Sequence, residues 1–272
     1  MPTLSVIVIT YNEEKNIDRC LRSARWADEI IVVDSFSKDR TVEIAKRYTS
    51  SIIEHEFDGD IPQRERGFAA ATEDWLLYID ADEEVSRHLK KEILTVIRSD
   101  SAKDGYLIPR KVMFLGKWIF HGGWYPDYTL RLFRRDKYAA EPAEVHGGLR
   151  IDGETAKLKG ELFHYTYDSI AQYLSKMNDY TSLQISNKRQ ADSELQFSLM
   201  KLVLSPVSHF FRKYVSNKGY KDGFHGFVLA ALGAIYTLAL YAKIWEYRWR
   251  EREGRGLLPP ITNVEVQQLK RL

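Results

Sequence analysis

Three polar segments in this chain each follow a run of apolar, largely β-branched residues: Thr10-Tyr11-Asn12 after LSVIVI, Asp34 after IIVV, and Asp80-Ala81-Asp82 after WLLYI. The residue types suit a phosphorylated nucleoside. Tyr11 offers a ring on which a base stacks, Asp34 can accept hydrogen bonds from a base imide or a ribose hydroxyl, and Asp82 presents oxygens to a divalent cation. Acidic tripeptides are common on surfaces, so it is the position of this one, after five apolar residues, that gives it weight. Two carboxylates facing a crevice repel each other until a cation or a proton relieves them. Mg²⁺ or Mn²⁺ bridging a diphosphate would do so, and would stabilise the charge that develops as the nucleotide departs.

The elements that must position these groups alternate in the β-α-β manner of a mostly parallel sheet. Strands are expected at residues 4–9, 30–33, 51–54, 75–79 and 105–109, the first buried on both faces because nearly every residue is apolar. Asn12 is expected to cap a helix carrying Ile17, Cys20, Leu21 and Ala24, and Asp39 one carrying Val42, Ala45 and Tyr48. Residues 63–72 read as helix, and Ser86 as the start of another bearing Leu89, Ile93, Leu94 and Ile97. In such a sheet a ligand lies at the carboxyl ends of the strands, where all three polar segments fall. Residues 113–167 read instead as aromatic and glycine-rich loops with scattered short strands. Helix resumes near Ser169, and residues 199–247 form apolar helix interrupted at Pro206 and at the Asn217-Lys218-Gly219 turn.

Composition narrows the function. Forty basic residues against thirty-eight acidic ones, a net charge of +2, exclude a whole-protein nucleic-acid surface. Neither a phosphate-binding P-loop nor a Gly-x-Gly-x-x-Gly follows the first strand, so phosphates must be held by metal and basic side chains. Cys20, the single cysteine, lies on a helix face and reads as core. With no secretory leader pattern, this leads to the expectation of a cytoplasmic protein. The uncharged residues 227–242 fall short of the roughly 20 needed to cross a bilayer. Arg212, Lys213, Lys218 and Lys221 before them, and Trp245, Tyr247 and Trp249 after, suit a membrane surface. A helical lid or a homodimer interface is the alternative.

The motifs SVIVITYNEEKNIDRCLRS, DEIIVVDSFSKDRTVEIA, ATEDWLLYIDADEEV and LGKWIFHGGWYPDYTLRLFRR with EVHGG resemble the family 2 glycosyltransferases of the GT-A fold, the lipopolysaccharide core β-glucosyltransferase subgroup most of all. The resemblance covers nearly the whole chain. It implies an α/β, GT-A-like nucleotide-diphospho-sugar transferase fold at residues 1–168, with a nucleotide-binding half (1–110) and an acceptor-side half (111–168). A helical C-terminal appendage follows at 169–272. It implies that Tyr11 and Asp34 bind uracil, that Arg64 approaches the UDP-sugar donor and that Asp82 ligates the metal. Thr10, Asn12, Glu13 and Asp80 are expected to complete the donor site, and His146 the metal shell or a diphosphate contact. Arg131 or Arg134 is a further contact to diphosphate by charge. The acceptor is expected to be a membrane glycolipid at the inner face of the cell membrane.

Inversion at the anomeric carbon requires a carboxylate to take the acceptor's proton. Asp127, in a WYPD loop ahead of what resembles the family's Leu-Arg-Leu helix, is the first choice, and Glu144 is the second. His164 reads as a structural histidine. Trp118, Phe120, Trp124 and Tyr125 either stack on sugar rings or pack the domain, and Gly122 and Gly123 would let their loop act as a gate. Phe36 stands where the family's loop carries glycine, and Gly147 where glutamate usually follows Val145-His146. Two other functions remain: a nucleotide-sugar binder that has lost its base, and a nucleotidyltransferase, whose glycine-rich N-terminal loop is missing.

Overall fold

A computed structural model of the chain describes residues 1–139, 149–190 and 197–255, with side chains described except at 187–190. The chain divides into two compact units. The first contains Met1–Val112 and Pro126–Thr166. Its strands and helices follow the alternation expected from the sequence: β1 (Leu4–Thr10), α1 (Ile17–Ala24), β2 (Glu29–Asp34), α2 (Thr41–Ala45), β3 (Ile52–Glu54), α3 (Asp60–Ala70) and β4 (Trp75–Asp80). After β4 come β5 (Glu83–Val85), α4 (Arg87–Val96), β6 (Gly105–Phe114), β7 (Lys117–Trp118), β8 (Asp127–Arg134), β9 (Tyr138–Ala139), β10 (Arg150–Ile151), β11 (Thr155–Lys157) and β12 (Leu162–Tyr167).

The main sheet has the order β3-β2-β1-β4-β8-β6-β12-β5, with β7 and β11 on β6. β3, β2, β1 and β4 are parallel, while β8 runs antiparallel to both β4 and β6. The sheet is thus mixed, and its parallel half is apolar on both faces. Val6, Val8, Val32, Leu77 and Ile79 pack with α1 and α4 on one side. Ile7, Ile31, Val33, Leu76 and Tyr78 pack with Phe68 of α3 and Phe133 of β8 on the other. Gly67 sets the closeness of α3, because a Cβ there would lie 2.3 Å from the Ile7 Cγ2. Burial on both sides holds the strand ends, and whatever projects from them, rigid.

Several local expectations are corrected. Asn12 does not cap a helix: it takes a left-handed conformation (φ 53°), and α1 begins four residues after the expected start, with Asn16 at its N-cap. The Leu130-Arg131-Leu132 segment is strand β8 rather than helix, and Asp127 is its first residue. β6 runs on to Phe114, so the region read as loops contains the antiparallel half of the sheet. Ser86 caps α4 as expected, its Oγ accepting the Leu89 N–H at 3.1 Å, and Asp39 Oδ1 accepts the Thr41 N–H at 3.0 Å in the first turn of α2.

The second unit joins Met113–Tyr125 to the chain from Tyr167 onward. Its helices are α5 (Ile170–Gln190), α6 (Leu199–Phe211) and α7 (Gly223–Arg252), the helical C-terminal region expected from the sequence. Phe114, Ile119, Tyr173, Leu229 and Leu232 form its main apolar cluster, and Ile185 with Ile244 a smaller one between α5 and α7. Pro206 lies within α6 and does not end it. The turn after α6 is where the sequence puts it, with Lys218 left-handed at φ 58°. Asp222, almost wholly buried, accepts the Phe120 and His121 N–H groups at 3.2 and 2.8 Å. Gly122 donates to the Asn217 carbonyl at 2.8 Å. The Gly122-Gly123 loop is thereby anchored at successive backbone positions, against the expectation of a gate, and Trp124 packs on the apolar cluster.

Candidate functional site

Strand register brings the predicted groups together. On β1, Thr10 pairs with Asp34 of β2, and Ile9 pairs with Asp80 of β4, so the two carboxylates flank β1 at its carboxyl end. The loops beyond are tied to each other. Asn12 donates its N–H to Ser37 Oγ (2.9 Å) and its Oδ1 accepts the Lys38 N–H (2.7 Å). The Glu13 N–H reaches Thr41 Oγ1 at 2.7 Å, and the Glu13 carboxylate accepts Asn16 Nδ2 at 2.7 Å. Tyr11 is half-buried between these anchors. Phe36, 47% exposed, is held left-handed at φ 59° in the position where the motif resemblance has glycine. Such a conformation costs a side-chain-bearing residue about 1–2 kcal/mol.

Asp34 is fully buried, and its donors among the described residues are neutral, the Ser37 N–H at 2.8 Å and the Ser37 hydroxyl at 2.5 Å. Burial pushes its carboxyl up, and the Ser37 hydrogen bonds oppose this without cancelling it. Thr10 Oγ1 beside it is buried with no hydrogen-bond partner among the described residues. A hydroxyl without a partner next to a carboxylate with neutral ones is a surface able to recognise a polar ligand edge.

Asp80 has the opposite environment. Arg64 Nη2 lies 3.3 Å from one of its oxygens and Arg131 Nη2 3.1 Å from the other, and both guanidiniums stand over the Tyr78 ring at 4.8 and 4.4 Å. Burial alone would raise Asp80, but the charges of Arg131 and then Arg64 hold it well below the usual carboxylate range. Glu83, fully buried, closes the turn by accepting the Asp80 N–H at 2.9 Å and Arg131 Nη2 at 2.8 Å. Burial, opposed by Arg131 but aided by Asp80, pushes Glu83 up. Arg131 is therefore a buried ion-pair partner and not a free diphosphate contact. Arg134 likewise lies over Trp75 at 4.7 Å, with Asp104 at 3.9 Å.

Asp82 meets His164 of β12, its Oδ2 lying 3.3 Å from Nε2. Burial disfavours the imidazolium, yet Asp82 outweighs this and raises the His164 pKa. The other ring nitrogen, Nδ1, is buried without a partner among the described residues. The repulsion expected between the two acids of Asp80-Ala81-Asp82 is thus relieved by guanidiniums at one and an imidazole at the other. No group of three or more His, Cys, Asp or Glu side chains gathers around a single point among the described residues. Asp82 with His164 supplies one oxygen and one nitrogen donor, a pair that fits a borderline cation whose remaining ligands come from phosphate or water. His146 and Glu144 lie outside the described residues. From the sequence His164 reads as structural, and no local signal links it to Asp82, eighty-two positions away.

Asp127, its side chain 42% exposed, opens β8 opposite Arg110 of β6, whose Nε donates to it at 2.9 Å. Arg110 also approaches Glu83 at 3.9 Å. One chain of charges therefore runs from Asp80 through Arg131, Glu83 and Arg110 to Asp127.

A family model described as glycosyl transferase family 2 matches residues 5–141. The chain is 26% identical over 255 residues to the lipopolysaccharide core biosynthesis glycosyltransferase LpsC of Rhizobium meliloti, spanning 89% of this chain and 92% of that protein. It is 30% identical over 266 residues to an uncharacterized glycosyltransferase of Rickettsia typhi, spanning 93% of this chain and 90% of that one. Among solved structures, S. aureus TarS in complex with UDP-GlcNAc aligns over 93% of this chain and 92% of that chain, with 16% identity and a TM-score of 0.47.

Proposed function

The chain belongs to the family 2 glycosyltransferases, and from that premise we propose that it is an inverting hexosyltransferase moving glucose from UDP-glucose onto a hydroxyl of a membrane glycolipid such as the lipopolysaccharide inner core. The observation that carries the donor reading is the placement of Asp34 and Asp80 on either side of β1, with Asp82 against His164 beyond them. Tyr11 stacks on the uracil, while Asp34 and Thr10 take its polar edge or the ribose. Asn12 and Glu13 hold this loop against the Ser37–Thr41 segment. Asp80 fixes Arg64 so that its charge faces the donor. Residues 1–168 form the catalytic part, and 169–272 the part that faces the membrane.

Asp82 and His164 would hold the metal, and a donor set that includes imidazole favours Mn²⁺ over Mg²⁺, which prefers oxygen. When bound, the ion neutralises charge on the diphosphate. Asp127 takes the proton from the acceptor hydroxyl as the new oxygen–carbon bond forms, and the bond from the anomeric carbon to the diphosphate breaks with its electron pair leaving on UDP. Arg110 fixes the position of Asp127 by donating its Nε–H to the carboxylate. Glu144 is the alternative base. The acceptor class is supported by the name of the Rhizobium meliloti relative. The cytoplasmic side of the membrane follows from a nucleotide-sugar donor.

Calorimetric titration of UDP and UDP-glucose with Mn²⁺, and again with chelator, tests the donor site. Binding that needs the ion and is lost in Asp82→Ala and His164→Ala is the expected result. A folded protein that binds neither nucleotide in any condition would overturn the uridine assignment.

A further inference from the structure

Helix α7 buries five of its thirty residues within the second unit, while Phe224, Phe227, Ile235, Leu238 and Trp245 stay exposed at scattered positions. Gly226, Leu229, Ala230, Leu232 and Ile244 are covered by α5, α6 and the turn before α7. Lys243 is occupied as well, donating to Thr181 and Ser182 of α5 at 2.8 and 2.6 Å. Helix α6 packs on α7 yet has no buried residue, and its exposed apolar residues are the more concentrated. Leu199, Met200, Val203, Leu204, Val207 and Phe211 are all 52–67% exposed. Their spacing of three to four residues places them on one face. Val215 continues the stripe at 52%. A stripe of this kind on a soluble surface marks a contact with something apolar.

Charge identifies the occupant. Between residues 197 and 245 the chain has a single carboxylate, Asp222, and that one is buried against His121 and the Phe120–His121 backbone. Lys201, Arg212, Lys218 and Lys221 are exposed around the stripe. A second copy of this surface would set cations against cations, which disfavours self-association through it. An anionic bilayer satisfies both the apolar face and the cationic margin. The thirteen residues of α6 extend about 20 Å at 1.5 Å per residue, short of the ~30 Å hydrocarbon core. Pro206 also returns no N–H to the Leu202 carbonyl, a loss tolerable in a wet interface but not in dry hydrocarbon.

We propose that α6 is the membrane-binding element of this protein: it lies in the plane of an anionic bilayer with the Leu199–Phe211 stripe among the upper acyl chains and the surrounding cations on acidic headgroups. This goes beyond the catalytic reading and does not depend on it, since lipid binding is measured without donor or acceptor.

The test is cosedimentation of the full chain with vesicles of phosphatidylcholine alone and with about one third phosphatidylglycerol, alongside sedimentation velocity without lipid. The native protein should bind the anionic vesicles and release as salt is raised. Leu204→Glu with Val207→Glu should weaken binding at least tenfold, since each places a charge where acyl chain was. Lys218→Glu with Lys221→Glu should weaken it on anionic vesicles by about fivefold or more per cation. Both pairs lie on exposed positions, and circular dichroism with a melting curve checks that they fold. Native binding to neither vesicle, or double variants that bind like the native chain, would overturn the proposal. So would a native dimer that the stripe variants dissociate without any change in lipid binding, which would assign the face to a second copy.

Discussion

Asp34 and Asp80 end neighbouring strands on either side of β1, yet their environments are opposite. Asp34 is sealed with neutral hydroxyl and N–H donors, and burial raises it. Asp80 is gripped by two guanidiniums and is driven down. The same residue type therefore serves two purposes. At Asp34 no cation among the described residues pairs with the charge, which suits the proposed role of meeting a ligand's donors. At Asp80 the charge is spent internally, and the residue acts by holding Arg64 and Arg131 in place.

The largest expected effect lies at the far end of the Asp80 charge chain. Asp127→Asn should lower kcat by roughly 10²–10⁴-fold while leaving the calorimetric affinity for UDP unchanged. An affinity loss instead would place Asp127 in the donor site. Next, Arg131→Ala leaves Asp80 and Glu83 facing each other in a buried turn, and urea unfolding should register a loss of about 3–5 kcal/mol. A loss below about 1 kcal/mol would mean that the pair behaves as a surface one and that the contrast with Asp34 is not real.

The contrast itself is sharpened by the pH dependence of stability in two neutral variants. A raised carboxyl favours the fold below its unfolded value, and this contribution is lost as pH rises through the folded one. Asp34→Asn should therefore gain stability over the native chain towards neutral pH and lose that advantage in acid, while no longer binding UDP. A depressed carboxyl contributes above its unfolded value and loses this as pH falls. Asp80→Asn should be less stable than the native chain at neutral pH, with the gap closing in acid. Melting curves across pH 3–8 that moved in the same direction for both variants would break the comparison. The smallest effect is at the loop beside Asp34: Phe36→Gly removes a left-handed side chain and should raise stability by up to about 1 kcal/mol in urea unfolding. A loss there would show that the Phe36 ring contributes packing that its backbone strain conceals.

The positions of these acids were legible in the sequence because buried parallel strands are continuous apolar runs, and a polar residue that ends such a run lies at the carboxyl end of its strand. Thr10, Asp34, Asp80 and Asp82 follow from that alone. Asn12 was misread as a cap because its loop conformation is set by Ser37 and Lys38, more than twenty positions away. The helix at Leu130–Leu132 is implied by the family resemblance alone, and pairing with β4 and β6 makes the segment a strand.

The amino-acid sequence by itself determined the alternating elements, the strand-end acids, the helical C-terminal region and the family, since each depends on local periodicity or on contiguous motifs. Only the tertiary structure decided that His164 faces Asp82, that Glu83 and Arg131 neutralise the turn at Asp80, and that α6 has no buried residue. Those facts depend on which distant segments share a space once the core has closed. Burial converts a charge or an apolar stripe from a surface commonplace into a site, and burial is a property of the folded chain.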